Sequence, residues 1–206
     1  VFVLLTRGHQ LDTGGSFPGG YFANGYDIHA EGLIIPPIKI YDRGVERSDV
    51  LELIWNNVRF PEGVKIDNYA LMAGLTVGEK RIHSLLDKYG KQEVLDCLEE
   101  MLDRMEANVR ATITEIPDGT YFGESATDDD GTTLDEQVWV RCEATIAGDE
   151  MTLDFSQSDD QRTGFVNCVL ASTYSRAVAG SFLFFDPEYS PFHNAGSMRP
   201  ITLIAP

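Results

Sequence analysis

The sequence has few basic residues and no long apolar run. Lys and Arg account for 16 of its 206 residues and Asp and Glu for 33, which gives a formal net charge of −17 at pH 7. A protein with this charge repels phosphate backbones and anionic lipid surfaces, so we expect no nucleic-acid partner. No apolar stretch approaches the roughly 18 residues that a membrane-spanning helix needs, so we expect no membrane span either.

Cysteine is also scarce. Cys97, Cys142 and Cys168 are an odd number of cysteines, and no two of them form a CxxC pair. This usage is typical of a reducing compartment, and it predicts a cytoplasmic protein with reduced thiols. Cys168 has an alternative interpretation as a nucleophile, but it lies in an apolar run without a nearby base, which favours a buried structural thiol. A GxxxxGK[ST] pattern is absent too, so the sequence predicts no phosphate-binding loop of that type.

Histidines and carboxylates concentrate in a Gly-rich segment, residues 8–37. This segment holds two of the four histidines, His9 and His29, and Asp12 follows His9 by three positions. Imidazole nitrogen and carboxylate oxygen are the ligands of catalytic Zn, Mn or Fe, which usually keep one coordination position open. The segment therefore predicts a metal site, although a His and an Asp in a Gly-rich turn can also simply hydrogen-bond to each other.

Two strands are expected in this first part of the chain. Residues 1–5 form a continuous apolar run that is typical of a buried strand, and residues 26–35 alternate in polarity. In an extended segment Asp27, His29 and Glu31 share one face, so only that face can line a site. If the two strands lie side by side, they bring the two histidines together.

The middle of the sequence has helical periodicity. It predicts a short helix over residues 48–57, which Pro61 ends, and a second helix that begins near Asp67 and ends at Gly90. A third helix carries an apolar stripe at Val94, Leu98, Met101, Leu102, Met105, Val109 and Ile113. The short connection at residues 88–91 predicts that the two long helices form a hairpin.

The last part of the sequence is mostly β. Residues 138–146 and 151–155 alternate in polarity around a Gly-Asp turn, which predicts an antiparallel hairpin. The acidic run at residues 128–131 offers oxygen ligands for Ca²⁺ or Mg²⁺, but it lacks the other EF-hand positions, so we expect a solvated turn. Residues 172–185 are rich in Ala, Val, Leu and Phe and predict a buried helix.

These parts define an α+β fold, in which antiparallel or mixed β-sheet segments flank a central helical hairpin. The first region, residues 1–46, is a Gly-rich strand and loop segment with the candidate metal site. Residues 47–116 form the helical region. Residues 117–206 form a mostly β region with one buried helix.

Short motifs follow one another along almost the whole sequence. They are HxxDxGG at 9–15, PGG at 18–20, EGL at 31–33, IPP at 35–37, NVR at 57–59, PDGTY at 117–121, DDDG at 128–131, DFS at 154–156, GFVNC at 164–168 and RPIT at 199–202. This ordered set resembles the hydantoinase B/oxoprolinase family. Proteins of that family are much longer than 206 residues, so the resemblance implies an internal fragment of a longer subunit.

The resemblance implies an enzyme with a partner. The expected function is that of a metal-binding catalytic subunit, which completes the ATP-dependent hydrolysis of a cyclic amide such as a hydantoin, oxoproline or a lactam. The expected partner is a hydantoinase A-type ATP-binding subunit in a hetero-oligomer, and ATP is used there rather than on this chain. One alternative is a subunit of an ATP-dependent ketone carboxylase of the acetone or acetophenone type. An alternative of another class is a non-catalytic assembly module.

The resemblance also implies site residues. His9 and Asp12 match the family's His-x-x-Asp element, and they are the expected catalytic residues. The expected cofactor is a divalent metal, Zn or Mn, held by His9, Asp12 and His29. Asp27 and Glu31 are the alternatives for the third ligand.

Overall fold

The computed structural model describes residues 2–20, 25, 27–182 and 192–205. The chain divides into two compact units, residues 1–88 and residues 89–206. The described elements form a mixed α and β fold with a two-stranded and a four-stranded sheet. None of the helices within the described ranges is long and apolar enough to cross a membrane.

The first unit is built mainly from helices. Its elements are α1 (Ile28–Glu31), β1 (Tyr41–Asp42), β2 (Val45–Glu46), α2 (Ser48–Trp55) and α3 (Pro61–Tyr89), whose last residue already belongs to the second unit. The strands β1 and β2 pair antiparallel across Arg43 and Gly44. Both turn residues have a positive φ, 51° and 81°, as a two-residue type I′ hairpin turn requires.

The short helix α2 confirms the helix predicted over residues 48–57. Its buried face carries Leu51 and Trp55, which are one helical turn apart and pack with Val64 of α3. The expected role of Pro61 is wrong. Pro61 opens α3 instead of ending α2, because the first helical position needs no backbone N–H donor.

The strand expected in residues 1–5 is wrong for its described part. Residues 2–5 pair with no strand of the described residues, and Val3 and Leu5 are 85% and 86% exposed. An apolar run becomes a strand only where a neighbouring strand satisfies its backbone hydrogen bonds. Leu4 instead lies over Gly78 of α3, where an added Cβ would be 3.3 Å from Leu4 Cδ1.

The strand expected in residues 26–35 is also wrong for its described part, residues 27–35. The helix α1 forms there because the Asp27 carboxylate accepts hydrogen bonds from the backbone N–H groups of His29 (2.8 Å) and Ala30 (3.1 Å). An Asp in this position is a strong helix N-cap. The alternation of polar residues therefore does not place Asp27, His29 and Glu31 on one face of a strand.

The second unit packs a four-stranded sheet against a long helix. Its elements are α4 (Lys91–Thr114), β3 (Gly119–Thr127), β4 (Val138–Ala147), β5 (Glu150–Asp154), α5 (Leu170–Ser181), a 3₁₀ helix (Ala195–Met198) and β6 (Ile201–Ile204). Gly90, with a φ of 82°, separates α3 from α4. The antiparallel packing of these two helices stays a prediction.

The sheet confirms the hairpin predicted over residues 138–155. Strand order is β3-β4-β5-β6, with β3, β4 and β5 antiparallel and β6 parallel to β5. Ile146 faces Met151 across the hairpin, and the turn between them contains Gly148 at a φ of 64°. The sheet residues in the core of this unit are Ile146, Met151, Leu153 and Ile201.

Among the described residues, the part of helix α4 that joins this core is its second half. Val109 and Ile113 are 2% and 0% exposed and pack with the sheet residues, and Met105 is buried as well. Met101 is 55% exposed, although it lies on the same predicted stripe. The stripe predicts which face of the helix is apolar. The sheet covers that face at Val109 and Ile113, but it does not cover Met101.

Two expectations of burial in this unit are not met. Helix α5 ends at Ser181, which is its one buried residue, while Leu170 is 67% exposed. Residues 183–185 of the predicted helix lie outside the described residues. The expectation for Cys168 is wrong, because its side chain is exposed. An apolar stretch next to a helix start does not by itself bury a thiol.

Candidate functional site

The segment that carries His9 is anchored on both sides of this residue. The backbone at Gly8 passes so close to α3 that an added Cβ would lie 2.7 Å from Leu71 Cδ1. Gln10 Oε1 accepts a hydrogen bond from Asn68 Nδ2 of α3 at 3.4 Å. The His9 side chain between these two contacts is exposed. Its imidazole therefore faces solvent, while the backbone on either side is fixed by contacts with α3.

Asp12, three residues after His9, is held by hydrogen bonds. The residue is buried, at 5% exposure, and both of its carboxylate oxygens accept hydrogen bonds. The backbone N–H of Arg59 donates to Oδ2 at 2.5 Å, and Oδ1 accepts from Arg59 Nη1 at 3.2 Å and from the N–H of Gly14 at 3.3 Å. Burial alone would raise the pKa of Asp12, but these backbone donors and the Arg59 charge outweigh it, and the pKa is lowered.

The same arginine holds the two glycines that follow. Arg59 Nη1 donates to the carbonyl oxygen of Gly14 at 3.1 Å, and Nη2 donates to that of Gly15 at 2.5 Å. Both glycines have a positive φ, 82° and 77°. A Cβ at Gly14 would lie 2.6 Å from the Asn57 carbonyl oxygen, and one at Gly15 would lie 2.5 Å from that of Ala30. Glycine is therefore required at both positions.

Backbone hydrogen bonds join this loop to the segment that carries His29. Ser16 N–H donates to the Ala30 carbonyl oxygen, and Leu33 N–H donates to that of Thr13, each at 2.8 Å. The loop from Asp12 to Ser16 therefore runs beside the end of α1. The structure thus brings together the two chain segments that carry the predicted histidines, through turns and a helix rather than through two strands.

The predicted ligands differ in their environments. His9, His29 and Glu31 are exposed, whereas Asp27 caps α1 and Asp12 is buried against Arg59. Over residues 2–20, 25, 27–182 and 192–205, no group of three or more His, Cys, Asp or Glu side chains is placed to hold a metal ion. Donors engage both oxygens of Asp12, so as folded this carboxylate is not a free metal ligand. The divalent metal at His9, Asp12 and His29 stays a prediction.

Sequence reasoning did not identify Arg59 as part of this site. The residue follows α2 in the Asn-Val-Arg motif, 47 positions after Asp12, so no local pattern connects the two. The available signal was the lone carboxylate in a Gly-rich loop. A buried Asp needs a cation or several N–H donors, and a search for such a partner among motif residues would have considered Arg59.

The acidic run at residues 128–131 lies in a loop, and Asp128 is exposed as expected, but Asp130 is not solvated. Asp130 is 3% exposed, and its Oδ1 accepts hydrogen bonds from the backbone N–H groups of Thr132 (2.7 Å) and Thr133 (2.6 Å) and from the Thr132 hydroxyl (2.7 Å). The Gly164 N–H donates to Oδ2 at 3.3 Å. These donors hold the pKa of Asp130 well below its usual range. This carboxylate ties two loops together and is not a free cation ligand.

A second carboxylate, Asp159, fastens the neighbouring loop to β4. It accepts hydrogen bonds from the Trp139 backbone N–H (3.0 Å), Arg141 Nη1 (2.9 Å) and Arg162 Nη2 (3.1 Å). The Trp139 donor and the Arg141 side chain lower the pKa of Asp159 to about 2. The arrangement is that of an ion-pair network between a strand and a loop.

Comparison with known proteins gives a consistent result. The family model described as hydantoinase B/oxoprolinase matches residues 1–206. Caprolactamase subunit beta of Pseudomonas jessenii is 32% identical over 203 residues, which are 98% of this chain and 34% of that protein. The chain therefore spans about a third of the length of this curated relative.

Two solved structures are similar as well. The crystal structure of ATP-dependent caprolactamase from Pseudomonas jessenii matches with a TM-score of 0.85 and 33% identity, over 95% of this chain and 33% of that one. A nucleotide-free structure of acetone carboxylase matches with a TM-score of 0.83 and 21% identity, over 94% of this chain and 27% of that one. The second likeness concerns the fold alone.

Proposed function

This chain belongs to the hydantoinase B/oxoprolinase family, and from this premise we propose that it is part of a subunit that completes the ATP-dependent hydrolysis of a cyclic amide. The observation that carries the proposal is the likeness to caprolactamase over nearly the whole chain. A hydantoinase A-type partner subunit binds ATP and phosphorylates the amide oxygen. The substrate class is a lactam, a hydantoin or oxoproline.

The chemistry after phosphorylation needs water and proton transfer. Water adds to the activated carbon, the ring C–N bond breaks, and the nitrogen leaves as an amine after it takes up a proton. The carbon is left as an acyl phosphate, which a second water converts to carboxylate and inorganic phosphate. A positioned imidazole can deliver or accept these protons near neutral pH.

His9 is the residue that we assign to this proton transfer. Its side chain is exposed. Both of its neighbours in the chain are fixed, because Gly8 packs against α3 and Gln10 accepts a hydrogen bond from Asn68. A held backbone with a solvent-facing imidazole supports a role in which the ring meets a substrate. Asp12, in contrast, is buried and bound to Arg59, so we assign it to holding the loop.

The test uses the full-length subunit together with its ATP-binding partner. We expect ATP-dependent ring opening of caprolactam, hydantoin or 5-oxoproline, measured as amino acid and inorganic phosphate released. His9→Ala should lower kcat by about 10²-fold or more, the usual contribution of a general acid or base. His83→Ala is the matched control, because His83 is also exposed and lies on α3, and its kcat should equal that of the wild type.

Other outcomes decide between the alternatives. Carboxylation of acetone or acetophenone with bicarbonate, without ring opening of any cyclic amide, would assign the subunit to the ketone carboxylases. If His9→Ala keeps the wild-type activity, His9 takes no part in the chemistry. If the wild type with its partner turns over none of these substrates but still binds the partner, the chain is an assembly module. Zn and Mn analysis of the wild type and of His9→Ala tests the predicted metal separately.

A further inference from the structure

Arg59 makes four hydrogen bonds to one short loop. Its backbone N–H and its Nη1 reach the two oxygens of Asp12, while Nη1 and Nη2 reach the carbonyl oxygens of Gly14 and Gly15. The Asp12 carboxylate completes the arrangement by accepting the Gly14 N–H. One arginine thus fixes both the side chain that begins the loop and the backbone that follows it.

This arrangement requires a guanidinium group. The acceptors on Asp12, Gly14 and Gly15 are reached by two different terminal nitrogens of the same planar fork. Lysine has a single terminal nitrogen on a flexible chain, so it cannot bind the same acceptors with the same geometry. The Arg59 side chain is 42% exposed, yet its bond to Asp12 is to a side chain that is 6% exposed, so water competes poorly for that acceptor.

The loop that Arg59 holds has no regular structure to keep it in place. Gly14 and Gly15 adopt positive φ, which glycine can leave easily because it has access to most of conformational space. The loop nevertheless supplies Thr13 and Ser16, whose backbone groups bond to residues 30–33 beside α1. Without the Arg59 side chain, the connection between the His9 segment and the His29 segment depends on these backbone bonds and on the Thr13 hydroxyl, which donates to the Glu31 carbonyl oxygen at 3.1 Å.

We propose that Arg59 is a positioning residue, which clamps the loop from Asp12 to Gly15 and so keeps the His9 and His29 segments in register. Its effect on catalysis rests on the proposed function, because it acts through His9. The clamp itself does not depend on that function. A displacement of about 1 Å at a catalytic group can lower the rate by about 100-fold, so the loss of the clamp should be visible in kcat.

The first experiment measures the loop directly. Hydrogen exchange of peptides that cover residues 12–16 and 30–33 is compared between wild type, Arg59→Lys and Arg59→Ala in the full-length subunit. We expect exchange to be at least about tenfold faster in both variants, because the Ser16 and Leu33 N–H groups lose their fixed partners. Arg47→Lys is the control, since Arg47 makes two hydrogen bonds to the Asp49 carboxylate, both of them exposed, and should leave this exchange unchanged.

The second experiment separates positioning from simple loss of the fold. With the partner subunit and a cyclic amide, Arg59→Lys should lower kcat by about tenfold or more while KM stays close to wild type. Added guanidine at millimolar concentration should restore part of the kcat of Arg59→Ala, which an unfolded variant could not show.

The possible results have distinct meanings. Wild-type exchange in Arg59→Lys would overturn the clamp, and faster exchange with an unchanged kcat would overturn the positioning role. If the wild type opens no cyclic amide, the proposed function fails, and the exchange result still decides on the clamp.

Discussion

The backbone N–H of Gly164 donates to Asp130 Oδ2 at 3.3 Å, and the two residues are in such close contact that a side chain at Gly164 would strike the Asp130 carbonyl group. The contact joins the loop after β3 to the loop that precedes α5, across 34 residues of sequence. Two short motifs that are far apart in the chain therefore form one structural element.

This contact predicts that Gly164→Ala destabilises the protein. The new Cβ would collide with backbone atoms of Asp130, which cannot rotate away as a flexible side chain can. We expect a loss of about 2 kcal/mol or more in the free energy of unfolding, measured by urea denaturation. Gly123→Ala is the matched control, because an added Cβ on β3 meets nothing within 4 Å, and it should leave the stability unchanged. Equal midpoints for the two variants would contradict the close contact.

Asp130 itself predicts a dependence of stability on acid. Its folded-state pKa lies below the unfolded value, because Thr133, Thr132 and Gly164 donate to the carboxylate. A group of this kind contributes stability that is fully present above the unfolded pKa of about 3.9 and is lost as the pH falls towards the folded pKa. We expect urea midpoints of the wild type to fall between about pH 5 and pH 3.

The variant Asp130→Asn should lose this contribution at all pH values. An amide nitrogen cannot accept the hydrogen bonds that the carboxylate oxygens accept, so the midpoint should be lower at pH 7 and should change less with acid. Asp128→Asn is the control from the same acidic run, since Asp128 is exposed and should keep the wild-type profile. A wild-type profile in Asp130→Asn would mean that this carboxylate does not tie the loops together.

The two halves of α4 should respond differently to truncation. Ile113 is fully buried under the sheet, and Ile113→Ala should cost about 2–5 kcal/mol of unfolding free energy. Met101 is 55% exposed, and Met101→Ala should cost less than about 0.5 kcal/mol. Thermal or urea unfolding of both variants measures the difference. Comparable losses would show that the first half of α4 is covered in the full-length protein.

The parts of the fold that the sequence predicts correctly are those whose determinants lie within a few residues of each other in the chain. The hairpin of β4 and β5 was predicted because alternation and a Gly-Asp turn lie within a few residues of each other. Helices α2 and α4 follow equally local periodicity. The strand predicted at the start of the chain is wrong for residues 2–5, because a strand needs a partner strand and an apolar run does not show whether one exists. Met101 lies on the predicted apolar stripe of α4 and is nevertheless 55% exposed, because the stripe does not say which of its residues another element covers.

The candidate site shows the limit more clearly. The sequence identifies the loop with His9 and Asp12, but the alternation near His29 predicts a strand where Asp27 caps a helix. A capping carboxylate and a strand residue on a polar face look the same in sequence. Arg59 was missed because its contact with Asp12 spans 47 residues, and pairing at that distance has no local pattern.

The pairing of Asp12 with Arg59 can be measured by a double-mutant cycle. Asp12→Asn replaces one acceptor oxygen by a donor, which faces the Arg59 backbone N–H in place of Oδ2 or Arg59 Nη1 and the Gly14 N–H in place of Oδ1. The change should therefore speed hydrogen exchange of residues 12–16 as Arg59→Ala does. Both changes remove the ion pair between Arg59 Nη1 and Asp12 Oδ1, so the double variant should lose less than the sum of the two single variants, both in exchange and in urea midpoint. The cycle of Asp49→Asn with Arg47→Ala is the control, and this exposed pair should show additive effects close to zero. Full additivity for Asp12 and Arg59 would show that the two residues stabilise the loop independently.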